Sequence, residues 1–131
     1  MKNKNTNGKK EVKVYIDLLY MTPEEVRAKD IALILQDRKD IAAQLWEEMN
    51  ILELELQSGN SVDFEPLEVS FKAPSDAAFI KKHDIKTVFA INLCEADLSA
   101  VTSYFNKIIE KYSGFLCADS ADFTPVYAGV I

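Results

Sequence analysis

The sequence predicts an α+β fold: a single-domain sandwich whose mostly antiparallel sheet of four to five strands carries its helices on one face. Three observations lead there. Residues 11–20, EVKVYIDLLY, alternate apolar and polar as a half-buried strand does. Residues 86–93, KTVFAINL, hold four consecutive apolar residues, as a central strand covered on both faces does. The segments between and after them carry apolar residues at helical spacing. A doubly wound α/β arrangement is the alternative, and it requires the run IALIL at 31–35 to be a strand.

A chain of 131 residues is long enough for one domain with its own core, without metal or disulfide. Residues 1–10, MKNKNTNGKK, hold four lysines, three asparagines and no apolar residue after Met1. They read as a disordered polar tail, which leaves 11–131 as the domain. No apolar stretch of signal-peptide or membrane-span length follows, so a cytoplasmic protein with no membrane partner is expected.

The elements follow in order. In the first strand Val12, Val14, Ile16 and Leu18 share a face. Thr22-Pro23-Glu24-Glu25 has the form of a helix start, with a capping hydroxyl, a proline and a glutamate three residues on, and predicts a helix to about Gln36. From Lys39 to Gln57, Ala42, Leu45, Met49, Leu52 and Leu56 recur at three- and four-residue steps. That spacing predicts a long amphipathic helix ended by Gly59, although LELEL at 52–56 also alternates with period two. Leu67, Val69 and Phe71 predict a second strand, Pro74-Ser75-Asp76 a short helix to about His83, and 86–93 the central strand. Leu98, Val101, Phe105, Ile108 and Tyr112 line one face of a helix over 95–112, with acidic residues in its first turn and lysines in its last. GFLCA then returns as a strand, Asp119-Ser120-Ala121-Asp122 is turn chemistry, and Phe123–Tyr127 pairs back at a sheet edge, where Pro125 is tolerated.

Charge is the functional signal. Residues 11–131 hold eleven basic against twenty-one acidic residues, and from Asp40 through Phe71 there are eight acidic residues with no Lys or Arg. A negative field repels phosphate backbones, so no direct nucleic-acid partner is expected. On the helix read over 39–57, Asp40, Glu47, Glu48 and Glu55 fall on the face opposite the apolar stripe, and Ile51 beside them offers an apolar anchor. A solvated helix normally mixes signs, because opposite charges four residues apart stabilise it. An unrelieved acidic face is useful where a basic partner must be caught quickly. The expected function is a small protein-binding protein, an immunity or inhibitor protein that neutralises a basic partner such as a nuclease toxin. Two rivals remain: a self-associating homodimer built on the Pro125 edge or an apolar face, and a small enzyme using His83 with Cys94 or Cys117.

An enzyme is not the expectation. Cys94 and Cys117 sit in apolar runs and fit no zinc spacing, and His83 stands at the end of a short helix. The four glycines form no phosphate-binding loop, and Asp119 with Asp122 lacks the glycine and terminal glutamate of a calcium loop. No metal and no cofactor is expected.

Overall fold

Strand β1 (Tyr15–Thr22) is the strand around which the sheet is assembled, in a computed structural model that describes residues 12–131. The expected tail over 1–10 lies outside the described residues. After β1 come α1 (Ala28–Ile34), β2 (Ile41–Trp46), β3 (Ile51–Leu56), β4 (Ser61–Leu67), α2 (Pro74–Lys82), β5 (Thr87–Cys94), α3 (Leu98–Tyr112), β6 (Phe115–Ala118) and β7 (Val126–Gly129). The seven strands form one sheet in the order β2-β3-β4-β5-β1-β6-β7, and every neighbouring pair is antiparallel. The class is mixed α+β, with seven strands instead of four to five.

Alternation along the strands sorts the core into two layers. Leu18 and Tyr20 of β1, Leu52 and Leu54 of β3, Phe64 of β4, Phe89 and Ile91 of β5 and Leu116 of β6 pack with Ile31 of α1 and Val101, Phe105 and Ile108 of α3. Phe105 stacks on Phe64 at 5.5 Å between ring centres. The intervening residues Leu19, Met21, Val88, Phe115 and Cys117 meet Ile80 of α2 and Phe123 on the other side. Helices therefore cover both faces, two on one and one on the other, which corrects the expectation of a single helical layer. β1 and its neighbours are buried twice over, and β1's own LLYM is fully enclosed.

The largest correction is residues 39–57. They form no helix: β2 and β3 make an antiparallel hairpin with register Ile41↔Leu56 to Trp46↔Ile51, joined by a 3₁₀ turn at Glu47–Met49 and Asn50 in the left-handed conformation at φ 58°. A helix would have turned Leu54 away from the apolar stripe, and Leu54 is 1% exposed. Period two buries Leu52, Leu54 and Leu56 together, and that burial outweighs the coincidental helical spacing.

Smaller shifts have local reasons. Thr22 is the last residue of β1 and no helix cap: its hydroxyl donates to the Tyr112 carbonyl at 2.6 Å and accepts the Glu24 N–H, so α1 begins only at Ala28. IALIL belongs mainly to α1, which leaves no parallel crossover for a doubly wound sheet. β4 starts at Ser61 inside the expected loop, with Val62 and Phe64 in the core, while Val69 and Phe71 lie beyond the strand and pack on the α2 side. Val12 and Val14 lie outside β1 and are exposed. Among the described residues, no helix is long and apolar enough to cross a membrane.

Candidate functional site

Strands β3 and β4 bury one face under α1 and α3 and leave the other open, and β2 flanks them at the exposed edge of the sheet. The core residues Leu52, Leu54, Val62 and Phe64 are even-numbered, so the odd-numbered Glu53, Glu55, Asp63 and Glu65 stand together on the open face. Register places them in a lattice. Gln44 lies opposite Glu53, Glu53 opposite Asp63, Asp63 opposite Asn92 and Asn92 opposite Asp17, a single row across five strands. Glu55 lies between Ala42 and Ser61 in the next row, and Glu65 opposite Ala90 on the other side.

Among the described residues the row has no counter-charge. β2, β3 and β4 contain neither Lys nor Arg. Among the described residues, the ion pairs are Lys29–Glu47, Arg38–Asp40, Lys86–Asp84 and Lys107–Asp37, none of which involves this row. The amide facing Asp63 is turned away from it: Asn92 Nδ2 donates to Asp17 Oδ1 at 3.0 Å, at the far end of the row. Asp63 is left between Glu53 and an amide turned away from it, and its Oδ1 is closed off from solvent without a hydrogen-bond partner. Like charges directly opposite on neighbouring strands are destabilising, so this arrangement costs stability in the isolated protein.

Two clefts flank Glu53. One of about 430 Å³ is lined by Ala42, Gln44, Glu53, Glu55, Gly59 and Ser61. The other, about 210 Å³, is lined by Trp46, Ile51, Glu53, Asp63 and Glu65. A larger hollow of about 710 Å³ opens beside Val26, Pro66 and Thr87, where Thr87 and Asp30 are engaged internally. Thr87 Oγ1 accepts the Val26 N–H and donates to the Glu24 carbonyl, and Asp30 accepts the Arg27 N–H.

The five residues singled out by sequence are not on one face. Asp40 is bound internally: Arg38 grips both its oxygens at 3.2 and 3.0 Å, and the Tyr104 hydroxyl donates to it at 2.8 Å. The Tyr104 bond, then the Arg38 bond, hold its carboxyl below the usual range. Arg38 also lies over the Tyr104 ring at 4.7 Å, so the set fastens the α1–β2 loop to α3. Glu47 and Glu48 sit in the hairpin turn, Glu47 3.7 Å from Lys29. Ile51 and Glu55 alone lie on the open face, where the helix reading had missed Glu53, Asp63 and Glu65. The period-two run LELEL was the signal that could have found Glu53.

The other candidates resolve as structure. Cys94 and Cys117 are free and buried. Burial, with Asp119 adding to it, pushes the Cys117 thiol up to about 12, the opposite of an activated nucleophile. His83 packs on the Phe79 ring at 4.4 Å. At the β6–β7 turn, Thr124 Oγ1 donates to Asp122 Oδ1 at 2.6 Å and Ser120 Oγ donates to the same oxygen at 3.2 Å, hydrogen bonds that hold the Asp122 carboxyl below its usual range. Pro125 stands just before the edge strand β7. Comparison of the chain with models of known families, with curated proteins and with solved structures returns no significant match.

Proposed function

We propose that the chain is a cytoplasmic protein-binding protein that captures and neutralises a basic protein, as an immunity or inhibitor protein does with a nuclease toxin, through the open acidic face of its sheet. The observation that carries this reading is the row Glu53–Asp63, uncompensated among the described residues, with Glu55 and Glu65 to either side and a carboxylate oxygen of Asp63 that finds no partner there. Carboxylates set about 4.8 Å apart across strands and about 6.7 Å apart along them present a regular polyanion. Such an array steers a cationic cleft into contact and competes for it with nucleic acid. Trp46 and Ile51, paired beside the row and lining one cleft with Glu53, Asp63 and Glu65, offer the large apolar contact that typically anchors an interface.

The test is capture from the native host with wild type against Glu55→Lys with Glu65→Lys. Both residues are exposed, so the variant keeps the core intact. A basic protein held by wild type, released by moderate salt and lost by the variant supports the reading. Identical capture by the two proteins would sink it.

A further inference from the structure

The acidic face ends at an unusually bare strand. β2 is terminal in the sheet, so alternate residues of Ile41–Trp46 turn their backbone N–H and C=O groups into solvent. Natural sheets blunt such edges with charge, proline, a bulge or short length. The opposite edge is blunted: β7 has four residues, follows Pro125, and its pairing with β6 is irregular at Leu116/Cys117. β2 has none of these devices. Its six residues, IAAQLW, carry no charge and no proline, they pair with β3 in unbroken register, and all but Ile41 are exposed.

We propose that β2 is a docking edge to which an extended basic segment of the partner protein adds as an eighth strand, with Lys or Arg at alternate positions turned to the acidic face. The inference rests on the acidic-face reading and specifies how the partner engages it. Charge complementarity selects the occupant. An added strand lies about 4.8 Å beyond β2 and so about 9.6 Å from β3. Between it and Glu55 stands only the methyl of Ala42, above the cleft of about 430 Å³ that Glu53 and Glu55 line. A lysine and a glutamate lying along the sheet close that span. On the other face the incoming strand meets Ala43 and Leu45, which favours apolar residues at its remaining positions. Strand addition of this kind takes affinity from the backbone and specificity from alternate side chains. A second copy fits less well: two β2 strands paired antiparallel about a two-fold axis place both acidic rows on the same side, negative beside negative.

The experiment titrates the protein with a peptide of about eight residues alternating lysine and valine, a usual strand length. Trp46, the sole tryptophan, stands on β2 and reports binding by fluorescence. Two further peptides carry the same charges but are N-methylated at every valine or at every lysine. The parent peptide is expected to bind, and one methylated form to bind at least about tenfold more weakly, having lost the amides that face β2. Ala43→Pro and Gln44→Pro, made separately, bracket the two amide directions. The one whose N–H points outward stays folded and loses the peptide. Equal binding by all three peptides overturns strand addition. So does a parent peptide that fails to bind, or a dimer of the protein alone that the proline variant dissociates. Capture by the Glu55→Lys, Glu65→Lys variant reports on the acidic face independently, so the two readings fail separately.

Discussion

Asp63 is the residue at which stability and function part company. It faces Glu53 across the β3–β4 ladder, and among the described residues no hydrogen bond reaches its Oδ1. Asp63→Asn removes one like-charge contact and supplies a donor toward Glu53. It is expected to stabilise the fold by about 0.5–1 kcal/mol in urea unfolding while weakening capture of a basic partner, the trade seen where a site is kept under strain. A destabilised variant, or one with unchanged capture, contradicts the role given to this carboxylate. Cys117 supplies a pH signature. Its folded pKa, about 12, lies above its ordinary value of 9.0, so the thiol's contribution is complete below pH 9 and is lost as pH rises through 12. Alkaline melts should show declining stability over that window, and Cys117→Ala should flatten the decline. The acidic residues were legible in the sequence as a stretch without counter-charge. Which of them share a face was not, because facing depends on whether the period is 3.6 or 2.

At the scale of elements, one side chain both ends the β2–β3 turn and ties the hairpin to α1. Asn50 takes the left-handed conformation that ends the turn, and its Oδ1 accepts the Ala28 N–H, at the first residue of α1, at 2.6 Å. Asn50→Gly keeps the backbone and loses the bond, costing about 1–2 kcal/mol. Asn50→Ala loses the bond and strains the turn as well, costing about 2–3 kcal/mol. Equal effects in thermal unfolding would mean that the conformation contributes nothing. Asn50 was also the overlooked hairpin signal. The sequence shows α2, β5, α3 and β6 clearly, because each has a length, a cap or an apolar run that only one period satisfies. Residues 39–57 satisfy both periods in part. The deciding facts were that Leu54 has no place on a helical stripe and that Glu47 and Glu48 lack the lysines an exposed helix would supply. Thr22 misleads for a different reason: a hydroxyl that binds a backbone N–H two residues on serves a strand exit as well as a helix start.

The molecule as a whole is asymmetric. Around β1, β5 and β6 the sheet packs apolar side chains on both faces, whereas β3 and β4 are covered on one side and charged on the other. The covered region gives rigidity to the open one, so the acidic lattice is presented on a fixed surface and binding need not order it. The interior position of β1, between β5 and β6, carries a further consequence. Its neighbours are residues 87–94 and 115–118, so the first strand to leave the ribosome is among the last to find its place. During synthesis the β2–β3–β4 meander closes from local contacts, while Leu18 to Met21 wait unpaired until most of the chain has emerged. The segment most deeply enclosed in the finished protein is the one that a chaperone or an aggregating neighbour meets for longest in the nascent chain.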